Sequence, residues 1–187
     1  MRDDIIEYLH EEVKRRCKLP TNFFGMGCYY HIKSVVTNAD ILAKQYGADV
    51  EIVIIASWLH DIASITDYNL YEEHHIYGAQ IANEILQLLD YEDNKIKSVQ
   101  NCILNHRGSV KKHKLTLEEL CVADADAISH FDNLPGLLYL AYVKRGLNIE
   151  DGKNFVKNKL KRSYLKLSSS SKELYKNKYN QVMMILE

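Results

Sequence analysis

Between residues 49 and 64 lies the most apolar stretch of the chain. Ile52 to Ala56 is apolar without interruption, and Trp58 and Leu59 follow. A helix that is apolar all round must sit at the centre of a fold with other elements around it. A buried strand is the competing reading, and the length of the stretch favours a helix. Only two prolines and eight glycines punctuate the 187 residues, too few for an all-β or loop-rich fold.

The flanking segments carry the 3.6-residue periodicity of helices with one buried stripe. Residues 3–18 place Ile5, Ile6, Leu9 and Val13 on one side, and Pro20, Gly25 and Gly27 interrupt the pattern. Residues 29–46 repeat Ile32, Val35, Val36, Ala39, Leu42, Ala43 and Tyr46 until Gly47 ends the run. Further helices are expected over 72–90, 93–106 with Gly108 as C-cap, and 116–131, after which Pro135-Gly136 should break the chain. Helices over 136–145, 150–166 and 170–186 complete the reading, the last with Ser168–Ser171 as its N-cap region. The expected fold is an all-α, single-domain helical bundle over 1–187, with a core at 29–131 and a C-terminal extension at 136–187.

Charge sets limits on partners. Lys plus Arg number 24 and Asp plus Glu 25, so no basic surface on the scale of a nucleic-acid binder is implied. The C-terminal third is richer in cations: Lys153, Lys157, Lys159, Lys161, Arg162, Lys166, Lys172, Lys176 and Lys178. They read first as the solvated faces of helices and second as an anion-facing rim. Cys17, Cys28, Cys102 and Cys121 form no C-x-x-C pair and lie in apolar helical patterns, as buried thiols of a reducing compartment would. Residues 1–7 lack the apolar run of a secretory signal, and no stretch reaches the length of a membrane span. A cytoplasmic location is expected.

The polar residues stand out by where they fall. His60 and Asp61 end the most hydrophobic helix, and burying an ionised carboxylate beside an imidazole is costly unless both are paired or bind a metal. An isolated His-Asp dipeptide is more often a local ion pair. Here His31 lies at the edge of one buried stripe, His74 and His75 open another helix, and His106 ends the 96-99-103-106 stripe. Asp124 and Asp126 interrupt the otherwise apolar run from Leu120 to Ile128. Several such groups on separate core helices are hard to satisfy in pairs, whereas a shared divalent ion satisfies them together.

This order of His31, then His60-Asp61, then Asp126 resembles the HD-domain superfamily of metal-dependent phosphohydrolases. The carrying segments are Tyr-Tyr-His31-Ile-Lys-Ser-Val, Ala-Ser-Trp-Leu-His60-Asp61-Ile-Ala and Ala-Asp-Ala-Asp126-Ala-Ile, within residues 29–131. The resemblance implies His31, His60, Asp61 and Asp126 as core metal ligands. In that superfamily the last aspartate is usually followed two positions later by a large apolar residue. Ile128 meets this for Asp126, while helical periodicity alone would choose Asp124, which stays as an alternative or supporting residue. His74 in His-x-x-x-Gly78-Ala79, with His75 as fallback, and His106 in His-Arg-Gly-Ser resemble the extra ligands of the branch that binds two metals.

Two positions depart from relatives. Ser64 stands where the mononuclear nucleotidase branch has a glutamate, and Ser34 where several relatives have an arginine. Lys33, Arg107 or a later lysine would then supply charge for a phosphate, and Tyr68, Tyr71 and Tyr77 a stacking face. The implied function is hydrolysis of a phosphoester or phosphoanhydride, with a nucleotide as substrate by resemblance alone. One or two divalent ions (Mn, Fe, Co, Ni, Zn or Mg) would be the cofactor, with Asp61 bridging them or orienting water. The partner expected is a small phosphorylated molecule, not a nucleic acid or a membrane. The rivals are a di-iron oxygenase using the same ligands and a metal-binding regulatory module without turnover.

Overall fold

The structure is a computed structural model that describes residues 1–107 and 115–187. The elements are α1 (Asp3–Arg16), α2 (Met26–Tyr46), α3 (Val50–Leu59), α4 (Ile62–Thr66), a 3-10 turn (Tyr68–Leu70), α5 (His74–Leu88) and α6 (Asp93–Asn105). They continue with α7 (Leu117–Asp132), α8 (Leu134–Tyr139), a π turn (Leu140–Lys144), α9 (Ile149–Lys166) and α10 (Ser169–Ile185). All regular structure among the described residues is helical, as the periodicity requires. Gly108, expected to cap the helix before it, lies outside the described residues.

The apolar segment forms the central helix. In α3 every residue from Ile52 to Leu59 is buried, and α1, α2, α6 and α7 pack around it. Burying an Ile, Leu or Val side chain contributes about 1.5–3 kcal/mol, so this one helix anchors much of the core. Asp49 caps its start by accepting from the Glu51 and Ile52 amides at 3.0 and 3.1 Å. The expected single helix over 49–64 is instead two. Asp61 leaves helical geometry at φ −108°, ψ 15°, which turns α4 away from α3 and leaves His60 and Asp61 at the corner.

A second difference lies after α7. Pro135-Gly136 does not break the chain: the interruption is Asn133, at φ −109° and ψ 45°, and the proline lies in the first turn of α8. The first turn tolerates proline because its amide has no helical partner to lose. Glycine next to it leaves room for the Asn133 side chain, since a Cβ at Gly136 would come within 2.5 Å of Asn133 Nδ2 and displace it. The expected helix over 136–145 is thus α8 followed by the π turn.

One contiguous core runs from Ile5 in α1 to Leu186 beyond α10. α2 packs along α7, and α5 along α6. α9 and α10 close over α7, joined by the parallel rings of Tyr164 and Tyr179 with centroids 4.2 Å apart. Ser168 caps α10 by accepting from the Ser171 amide at 3.2 Å. No described helix is long and apolar enough to cross a membrane.

Candidate metal centre

Six side chains from five places in the chain converge at one end of this core. α2 brings His31, the corner after α3 brings His60 and Asp61, the start of α5 brings His74, the end of α6 brings His106, and α7 brings Asp126. Their donor atoms fall into two groups. His31, His60 and Asp126 have ligand atoms within 4.8 Å of one another, as do Asp61, His74 and His106. Asp61 spans the two groups. Its Oδ2 lies 3.7 Å from His31 Nε2 and 3.5 Å from His60 Nε2, while its Oδ1 lies 3.6 Å from His74 Nε2.

Local hydrogen bonds fix how the imidazoles point. His60, His74 and His106 each place Nδ1 against the backbone carbonyl three residues earlier, on Ser57, Tyr71 and Ile103, at 2.7, 2.7 and 2.6 Å. A carbonyl only accepts, so Nδ1 carries the proton in each ring and Nε2 faces the cluster. His31 reaches the same state through a hydroxyl. Ser129 Oγ donates to the Asp126 carbonyl at 2.6 Å and so accepts from His31 Nδ1 at 2.9 Å. Such partners are the usual means of orienting a metal-binding histidine.

This arrangement fits a cation. His60 Nε2 is fully buried with no hydrogen-bond partner, an orphan that costs free energy as it stands. His74 Nε2 and His106 Nε2 face each other at 3.2 Å, and with both protons on Nδ1 two lone pairs meet. Donors about 2.0–2.2 Å from a shared ion would lie about 3–3.5 Å apart, close to the separations seen here. Electrostatics agree. Burial works against charge on His60, yet the Asp61 and Asp126 carboxylates outweigh it and raise the imidazole to about 9. Burial, with His60 and His74 as neighbours, lowers His106 to about 3. Asp61 and Asp126 stay well below the usual carboxylate range: burial opposes their ionisation, but His60 and His74 around the first and His31 beside the second prevail.

The cluster forms the floor of a cavity of ≈ 820 Å³. Its walls carry five cationic side chains, Arg107, Arg145, Lys159, Arg162 and Lys166, and an apolar section that includes Phe24, Leu137, Leu140 and Phe155. Tyr71 lines it too, stacked between Tyr68 and His74 with centroid separations of 5.6 and 5.8 Å. Arg107 also donates to the Glu72 carbonyl.

Not every residue singled out in the sequence comes here. Lys33 faces a separate shallow groove beside Asp3, Glu7 and Trp58, because two residues beyond His31 is about 200° around the helix. It therefore supplies no charge to the cavity. Asp124 is buried elsewhere, accepting from the Ser168 amide at 3.0 Å and the Ser168 hydroxyl at 2.5 Å, so it supports the start of α10 rather than the cluster. His75 and Tyr77 do not line the cavity. Lys159, Arg162 and Lys166 line it, Arg162 and Lys166 remaining exposed as a solvated helix face would be. His130 went unnoticed in the sequence. It lies one turn beyond Asp126, lines the cavity, sits 4.9 Å from His31 between ring centroids and meets Ser163 Oγ at 3.2 Å. The i, i+4 spacing from Asp126 was the signal that marks it.

The HD domain family model matches residues 28–130, a span that holds all six converging side chains. The chain belongs to the HD-domain family. Among curated proteins it is similar to Ribonuclease Y of Enterococcus faecalis, 31% identical over 106 residues, which are 57% of this chain and 18% of that protein. It is likewise similar to Ribonuclease Y of Clostridium kluyveri, 32% identical over 114 residues, which are 61% of this chain and 20% of that protein. The chain thus spans about a fifth of the length of these relatives. Among solved structures, Bacillus subtilis YpgQ aligns with a TM-score of 0.72 at 16% identity, covering 98% of this chain and 94% of that one. YpgQ in complex with ADP aligns with a TM-score of 0.67 at 14% identity, covering 100% and 94%. A predicted HD superfamily hydrolase from an uncultured Thermotogales bacterium gives 0.62 at 18% identity, covering 99% and 88%. At these identities the structures speak for the fold.

Proposed function

We propose that the chain is a metal-dependent phosphohydrolase that cleaves a phosphoester or phosphoanhydride, with a nucleotide as substrate. The observation that carries this reading is the pairing of a six-donor imidazole and carboxylate cluster with a cationic cavity wall. Divalent ions held by His31, His60, Asp61, His74, His106 and Asp126 would make a water more acidic and withdraw charge from phosphate oxygens. Asp61, with one oxygen toward each donor group, would serve both groups. Arg107 and Arg145 would neutralise and orient the phosphate. The apolar section at Phe24, Leu137, Leu140 and Phe155 suits a base, and the cavity encloses enough volume for a small ligand. Family membership and the ADP complex of YpgQ support the reading. The oxygenase alternative uses the same ligands but gives no role to five cations around them.

The test is a screen of nucleoside mono-, di- and triphosphates with manganese, cobalt, iron or magnesium, following phosphate or pyrophosphate release. Release is expected, and Asp61→Ala should reduce it to background while helix content is retained. Arg107→Ala should raise KM or lower kcat with metal binding unchanged. No release from any nucleotide, together with oxygen consumption by the iron-loaded protein, would move the assignment to an oxygenase.

A further inference from the structure

The cationic wall is organised. Phe155, Lys159, Arg162, Ser163 and Lys166 all line the cavity and fall at i, i+4, i+7, i+8 and i+11 of α9, on one face of the helix. Ser163 is buried and holds this face against α7 through His130. At 1.5 Å rise per residue, Lys159 and Lys166 stand about 10 Å apart along the axis. That is longer than one phosphoryl group and suits a chain of them.

The row is unfavourable as it stands. Lys159 to Arg162 is an i, i+3 pair and Arg162 to Lys166 an i, i+4 pair, and like charges at these spacings repel. None of the three forms an ion pair among the described residues, whereas Lys153, outside the stripe, meets Glu150 at 3.4 Å. The carboxylates that act on the row are Asp126 and Asp61, which already belong to the metal cluster. Lys159 is half-buried while Arg162 and Lys166 are exposed at the open side of the cavity, and a row of like charges along one wall is stabilised by an anion that spans it.

The geometry points to α9 as a binding site for the linked, non-reacting phosphates of a polyphosphate substrate, held along Lys159, Arg162 and Lys166 beside the metal cluster. This rests on the hydrolase reading, which fixes the reacting phosphate at the cluster. A monophosphate would engage the floor and leave most of the row unpaired.

Calorimetric titration of the manganese-saturated full chain would test it, using one nucleoside as its mono-, di- and methylene-bridged triphosphate. Affinity is expected to increase with each added phosphate, by about tenfold or more in total, as charge-assisted contacts accrue. The double variant R162Q/K166Q should lose that gain and bind the monophosphate about as tightly as the parent. R162K/K166R, which keeps the charges, should retain most of the gain. The ligand-free R162Q/K166Q protein should melt no lower than the parent, since it is relieved of repulsion. No gain with phosphate number, an equal loss for mono- and triphosphate, or tighter binding of a single-stranded oligonucleotide than of the triphosphate would overturn the inference. Graded binding without product release under any metal would leave the α9 site standing and defeat the hydrolase reading instead.

Discussion

At the scale of single residues, the cluster depends on groups outside its six side chains. Ser129 fixes the tautomer of His31 because its one proton is spent on the Asp126 carbonyl. Ser129→Ala should therefore weaken manganese affinity by about 10–100-fold with helix content unchanged, as measured by calorimetry and circular dichroism. Unaltered affinity would show that Ser129 does not orient the ring. A second expectation concerns pH. The carboxylates hold a proton on His60 up to about 9, and a ligand nitrogen must give its proton up. Manganese affinity should thus rise by about tenfold per pH unit for each proton displaced, and flatten above about 9. A flat profile from neutral pH upward would contradict this. The thiols are raised as well, by burial first. Burial pushes Cys17 and Cys121 up to about 12 and raises Cys28 and Cys102 as well. A thiol of that pKa is about one part in ten thousand thiolate at mildly alkaline pH, so the native protein should resist a thiol reagent until unfolded.

At the scale of elements, the two aspartates of α7 separate structure from chemistry. Asp126 and Asp124 lie two residues apart and so on different faces of the helix. Asp124→Ala removes two partners of Ser168 at the start of α10 and should cost about 1–3 kcal/mol in denaturant unfolding while leaving metal affinity intact. Asp126→Asn should do the reverse. Loss of metal binding in the Asp124 variant with its stability retained would reverse these roles. The helices themselves were readable because each carries one apolar stripe or, for α3, an almost unbroken apolar run interrupted only by Glu51 and Ser57. At His60-Asp61 the end of the apolar run was legible, but the turn of the backbone was not, since Ile62 to Ile65 resumes an apolar pattern. The Asn133 interruption was missed for a different reason: Pro135-Gly136 looks like a breaker, yet proline is at home in the first turn of a helix.

At the scale of the whole molecule, the packing of α2, α3, α5, α6 and α7 gathers donors that are up to 95 residues apart in sequence, His31 to Asp126. The six donors were legible because each is a polar residue in an apolar pattern, and because their order resembles a known family. The surroundings were less so. His130 keeps the helical spacing from Asp126 and was within reach. Ser129 acquires its role only when α7 packs on α2, and Arg145 and the α9 row only when their elements fold over the cavity, which no local pattern states. Lys33 shows the converse, a charge close to a ligand in sequence and on the far side of its helix in space. The central claim is that the six donors hold divalent metal, and anomalous diffraction from crystals grown with manganese tests it most directly. The account predicts one or two anomalous peaks within coordination distance of His31, His60, Asp61, His74, His106 and Asp126, absent from an Asp61→Ala crystal. A metal peak elsewhere with this cluster empty at saturating manganese would contradict it.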